Sequence, residues 1–137
     1  YMDYNGNGII EPLELGIQAW NENGRLTLLW LYDYTINDDY TMSGEIPENI
    51  GNLTELKKIN LAVNQITGNI PESIGELENL KFFYLYHNQL SGIIPDSICN
   101  IYPNLEHFQI YENQFCPPYP NCIPIDKIGT QDTSQCL

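Results

Sequence analysis

The chain has 137 residues and 42% hydrophobic content, which suits one modest domain with a core of its own. Five Lys and Arg against 18 Asp and Glu leave a formal charge of −13, which repels nucleic acid and anionic membrane and excludes both as partners. No apolar run approaches the roughly 18 residues of a membrane span, and no basic segment followed by an apolar stretch reads as a signal peptide, so no membrane insertion is expected.

In chain order, the first motif is Asp3-x-Asn5-x-Asn7-Gly8-x-x-Glu11-x-x-Glu14. It sets oxygen ligands at loop positions 1, 3, 5, 9 and 12, with Gly at 6 for the sharp turn, and so resembles the EF-hand calcium loop. That resemblance implies a structural Ca2+ held by Asp3, Asn5, Asn7, the backbone carbonyl of Ile9, Glu11 and a bidentate Glu14. The two Asn ligands lower the charge at the ion and imply weaker affinity than in intracellular buffers. Pro12 to Trp20 then reads as a short helix, with Pro in its first turn and Leu13, Ile17 and Trp20 recurring on one face to seal the core. Asn21-Glu22-Asn23-Gly24 breaks it and leads into a strand at Arg25 to Leu31.

A repeat governs the middle of the chain. Gly44, Gly68 and Gly92 are 24 residues apart, as are Pro47, Pro71 and Pro95, and Asn64, Asn88 and Asn113 are spaced at 24 and 25. One period reads Leu56-x-x-Ile59-x-Leu61-x-x-Asn64-x-Ile66-x-Gly68-x-Ile70-Pro71. The next has Leu80, Phe83, Leu85, Asn88, Leu90, Gly92, Ile94 and Pro95, and an incomplete copy has Leu105, Phe108, Ile110, Asn113 and Phe115. The alternating apolar residues predict a short strand with one face buried. The Asn turns inward to bond the backbone of its own coil and of the next, Gly permits a turn, and Ile-Pro sets an extended flank. No coil buries its apolar side alone, so stability must come from stacking.

This pattern resembles the leucine-rich repeat family, in its plant-type class with the L-x-x-L-x-L-x-x-N-x-L-x-G-x-I-P consensus. The resemblance implies an α/β fold, a right-handed leucine-rich-repeat solenoid of about four coils with a short parallel β-sheet on its concave face, capped at both ends. The first coil is irregular. Leu31 and Met42 are 11 residues apart where Leu61 and Ile66 are five apart, so about six extra residues around Tyr34 to Tyr40 are expected to bulge out as a loop. The chain divides into three regions: residues 1–24 as calcium loop and capping helix, 25–115 as repeats, and 116–137 as a disulfide-linked C-terminal cap.

The four cysteines, Cys99, Cys116, Cys122 and Cys136, lie near the C-terminus without a C-x-x-C pair, which argues for disulfides and a secreted, extracellular or cell-surface setting. The Pro-rich run between Cys116 and Cys122 prefers an extended form and disfavours pairing those two. Cys122 falls nine residues beyond Asn113 and Cys99 eleven beyond Asn88, on one flank of adjacent coils, so the favoured bridges are Cys99–Cys122 and Cys116–Cys136.

Residues between the buried strand positions should point to the concave side. These are Leu28, Trp30, Tyr32 and Asp33, then Lys58, Asn60, Ala62 and Val63, then Phe82, Tyr84, Tyr86 and His87, then His107, Gln109, Tyr111 and Glu112. From them we select Trp30, Tyr32, Asn60, Phe82, Tyr84, Tyr86, His107, Gln109 and Tyr111 as the ligand-binding face, since flat rings beside hydrogen-bonding groups suit protein or glycan partners. No nucleophile motif, phosphate loop or zinc signature stands out, and no enzyme is expected. The leading reading is a secreted module that recognises a protein, peptide or polysaccharide. The alternative is a self-associating structural unit of a larger adhesin, surface layer or filament.

Overall fold

The computed structural model describes residues 17–31 and 42–137. The calcium loop, the inserted residues around Tyr34 to Tyr40, and Tyr32 and Asp33 lie outside the described residues. Four short strands, β2 (Leu26–Trp30), β4 (Lys58–Asn60), β6 (Phe82–Tyr84) and β8 (His107–Gln109), stack in parallel, with β1 (Ile17–Trp20) antiparallel against β2 at the edge. The repeat keeps register, so equivalent residues form columns: Leu28–Lys58–Phe82–His107, Leu29–Ile59–Phe83–Phe108 and Trp30–Asn60–Tyr84–Gln109. On the flank, β3 (Ser43–Glu45) pairs with β5 (Gln65–Thr67), and β7 (Ser91–Ile93) with β9 (Gln114–Cys116). The Gly of each turn is required there: Gly68 and Gly92 have φ of 78° and 79°, where a side chain is strained.

The chain returns on the outer side through 3-10 turns at Ile50–Asn52, Glu72–Glu76 and Asp96–Asn100. Each comes after the Ile-Pro step, with Pro47, Pro71 and Pro95 offering their carbonyls to the amides of Ile50, Ile74 and Ile98. Ser73 and Ser97 tie successive turns by donating to Glu48 O and Glu72 O, each at 2.6 Å. Between sheet and turns lies one core in which Leu56 and Leu80, Ile59 and Phe83, Leu61, Leu85 and Ile110, Ile66, Leu90 and Phe115, and Ile74 and Ile98 are buried. Each such side chain contributes about 1.5–3 kcal/mol relative to an exposed position.

The asparagines hold the coils together through the backbone. Leu61 O accepts from Asn64 Nδ2 at 3.0 Å and Asn88 Nδ2 at 2.8 Å; Leu85 O accepts from Asn88 at 3.0 Å and Asn113 at 2.9 Å. Each carbonyl thus fills both lone pairs, one from its own coil and one from the following coil. The Oδ1 atoms of Asn64, Asn88 and Asn113 accept the amides of Met42, Ile66 and Leu90. Each Asn therefore reaches back to the coil before it, and not forward to the next coil as the repeat pattern suggests. The reason is that the coil before presents an inward carbonyl with a spare lone pair and an amide two residues past its own strand-end position.

The last rung is a glutamine. Gln131 Nε2 donates to Ile110 O at 3.0 Å and Ile128 O at 2.9 Å, and its Oε1 accepts from Phe115 N at 3.2 Å. These are the partners a further repeat asparagine would have, supplied by a tail that runs through α1 (Ile125–Ile128) and bridges Asn113 in parallel. Gly129 is needed beside it, because a Cβ there would lie 2.5 Å from Tyr111 Cβ. Disulfides Cys99–Cys122 and Cys116–Cys136 fasten this tail to the last two coils, in the pairing that the coil spacing favours.

One expectation is corrected. Within the stretch Pro12 to Trp20, Ile17–Trp20 is a strand and not part of a helix. The first coil otherwise presents β2 with an unpaired edge of amides and carbonyls, which an antiparallel strand satisfies and a helix cannot. Asn21 to Gly24 is then the tip of a hairpin. Asn21 N–H donates to Arg25 O at 2.9 Å and its Oδ1 accepts the amides of Asn23 and Arg25, both at 3.0 Å.

Two substitutions test the ladder. Asn88→Ala is expected to lower unfolding free energy by about 1–3 kcal/mol in urea titrations, because buried backbone groups lose their partners. Gln131→Ala is expected to cost about 1–2 kcal/mol in the same measurement, an effect that a surface glutamine would not produce.

Candidate ligand-binding face

The concave side of the five-stranded sheet is set by strand alternation: Ile59 and Phe83 point into the core, so their neighbours point out. At its centre stands Lys58. Its ammonium lies 3.9 Å from the Trp30 ring centroid, 5.3 Å from Phe82 and 5.7 Å from Tyr84, within reach of three ring faces. Phe82 stacks on His107 with centroids 5.2 Å apart and planes 19° apart, and Tyr84 is tilted against the same imidazole at 6.2 Å. Burial pushes the Tyr84 hydroxyl above its ordinary range, so it stays protonated at neutral pH and able to donate.

Past the strand ends the chain makes a second aromatic group. Tyr86 and Tyr111, on adjacent coils, stack at 4.9 Å with planes 11° apart, and His87 meets both edge-on at 5.6 and 5.7 Å. His87 Nδ1 and Glu112 Oε2 are 2.6 Å apart. Val63, His87 and Glu112, each just before its ladder asparagine, have φ of 56°, 53° and 52°. The left-handed step turns the chain so that the Asn points inward, and it brings the side chains of His87 and Glu112 beside each other.

The register therefore brings Trp30, Phe82, Tyr84, Tyr86, His107, Gln109 and Tyr111 onto one side of the molecule. Tyr32 lies outside the described residues. Asn60 keeps its place in the Trp30 column but is only 6% exposed, and its Oδ1 accepts the Ala62 amide at 3.1 Å, so it serves the backbone and is not a contact group. Lys58, in contrast, stands among these rings although the selection of rings and amides omits it. The sequence does carry a signal for it: Lys58 shares a repeat position with Phe82 and His107. Among the described residues no group of three or more His, Cys, Asp or Glu could hold a metal ion.

Comparison with known proteins agrees with this architecture. The Leucine Rich Repeat family model matches residues 55–77 and 79–101. Among solved structures, the plant peptide hormone receptor RGFR1, in complex with RGF2, is 32% identical with a TM-score of 0.57, over 60% of this chain and 13% of that one. The BIR3–SERK2 complex from Arabidopsis thaliana gives 26% identity and a TM-score of 0.61, over 66% of this chain and 50% of that one. The ectodomain of the Arabidopsis receptor kinase HAESA, in complex with an N-terminally extended IDA peptide hormone, gives 36% and 0.55, over 58% and 13%. No curated protein sequence matches significantly. The chain thus spans at most half the length of these three structures. Residues 55–77 and 79–101 are leucine-rich repeats, and the chain has the leucine-rich-repeat fold seen in plant receptor ectodomains.

Proposed function

We propose that this domain is an extracellular recognition module that binds a peptide or protein partner along its concave face. The observation that carries the reading is the row of rings, Trp30, Phe82, Tyr84, Tyr86 and Tyr111, presented on one side of a sheet whose register is held by the ladder. Rings with two χ angles offer large contact area at low entropic cost, and Tyr and Trp supply a polar end as well. RGFR1 and HAESA, which share the fold, are seen with peptide hormones, and this supports a peptide as ligand. Two disulfides support an oxidising extracellular setting. Among the described residues no helix is long and apolar enough to cross a membrane.

Calcium belongs to the same proposal as a clasp at the N-terminal end, ligated by Asp3, Asn5, Asn7, Ile9, Glu11 and Glu14. Its support is the loop pattern, in which six ligating residues and a Gly stand at the sequence positions that calcium geometry needs. Removing the bidentate ligand with Glu14→Ala is expected to abolish the rise in Tm on adding Ca2+; an equal rise in wild type and variant contradicts the clasp.

Binding is tested by screening the domain, with calcium present, against immobilised peptide libraries and extracellular proteins. The double variant Trp30→Ala/Tyr84→Ala is expected to lose at least tenfold in affinity for whatever the wild type binds, while its melting transition remains cooperative. Unchanged affinity in that variant refutes the concave face as the site.

A further inference from the structure

Resting on the concave-face reading, we infer that Lys58 is an anchor for a single carboxylate of the bound peptide, with an apolar or aromatic residue next to that carboxylate packing on the Trp30 and Phe82 rings. Among the chain's five Lys and Arg residues, Lys58 alone lies within a strand of the five-stranded sheet. Its ammonium has ring faces around it and, among the described residues, neither an ion pair nor a hydrogen bond, whereas Lys81 Nζ donates to Asn104 O at 3.2 Å. Among the described residues no carboxylate pairs with any of the five Lys and Arg residues, and Lys58 is the one whose ammonium lies over aromatic rings. Ring faces attract an ammonium but accept its three N–H donors poorly, so the donor facing the solvent side stays available to an anion.

The charge balance selects the kind of anion. A polymer with one negative charge per unit would meet a molecule of net charge −13 and find one strand lysine to receive it. A peptide with one carboxylate and otherwise neutral or basic residues gains from both: the carboxylate from Lys58, the remainder from the acidic field. The half-buried rings of Trp30, Phe82 and Tyr84 lower the local dielectric around the pair and strengthen it. The carboxylate can be the chain terminus or an Asp or Glu side chain, and these two sources share the chemistry.

The test uses an immobilised hexapeptide library prepared as free acid and as C-terminal amide, with each Asp or Glu also replaced by Asn or Gln, and polygalacturonate as a polyanion. Wild type, Lys58→Gln and Lys58→Arg are compared after their melting curves are shown to be alike. We expect neutralising one carboxylate to weaken wild-type binding at least tenfold, Lys58→Arg to keep that sensitivity, and Lys58→Gln to reduce it below twofold. Loss on amidation identifies the chain terminus as the source; loss on Asp→Asn or Glu→Gln identifies a side chain. Equal sensitivity in wild type and Lys58→Gln, binders without a carboxylate, or Lys58-dependent binding of polygalacturonate in preference to peptides overturns the inference. If binding depends on Trp30 and Tyr84 but not on any carboxylate, the face stands and the anchor falls. If no peptide binds, or the Trp30→Ala/Tyr84→Ala variant binds fully, both fall.

Discussion

A buried backbone carbonyl has two lone pairs, and in this domain the carbonyls of Leu61, Leu85 and Ile110 fill both from side-chain amides, one of their own coil and one of the coil or tail that follows. Short strands of three residues leave little pairing of their own, so without these amides the inner backbone at the strand ends would be dehydrated and unpaired. The amide side chain suits the place because it donates to two carbonyls and accepts one amide at once. Leu, Ser or Asp could not do all three. The same requirement explains the tail: a solenoid cannot stop at Asn113, because Ile110 O and Phe115 N would then face the end of the stack. Gln131, with one methylene more, reaches them from a chain that arrives by another route, and two disulfides keep it there.

The face is a product of this constraint. With the ladder pinning each strand end, outward positions of successive coils fall into columns about 4.8 Å apart. Such spacing suits ring stacking, and the Tyr86–Tyr111 and Phe82–His107 pairs use it. Where the column is interrupted by a small or self-bonded residue, as at Ala62 and Asn60, neither of them rises above the sheet. Lys58 stands beside that low point, between Trp30 of one neighbouring strand and Phe82 and Tyr84 of the other. Repeated positions build the scaffold, and the variable positions between them carry recognition, which is how one architecture can serve different ligands.

Most of the scaffold is legible in the sequence because its cause is periodic. Three Asn, three Gly and three Pro at a near-constant step reveal the coils, the turns and the inward amides, and the cysteine spacing selects the bridges. What escapes the period is non-local. Gln131 lies 18 residues past Asn113, out of step and of another residue type, so nothing in the repeat marks it as the next rung. Ile17 to Trp20 suits a helix by apolar spacing, yet the open edge of β2, a demand from elsewhere in the chain, makes it a strand. Asn60 reads as a contact group because alternation alone gives direction but not depth. Lys58 is easy to overlook because a lone lysine on a strand usually means a solvated surface, and only the geometry shows three rings around it.

The central claim is that one continuous set of amide-to-backbone bonds runs from the first described coil to the tail. Native-state hydrogen exchange at single-residue resolution tests it directly, since the amides of Ile66, Leu90 and Phe115 occupy equivalent rungs accepted by Asn88, Asn113 and Gln131. The account predicts that all three exchange together, at the slowest rates in the molecule and with the free energy of global unfolding. Rapid exchange of Phe115 beside protected Ile66 and Leu90 would contradict it, placing the end of the ladder at Asn113 and leaving the tail as a loose cover.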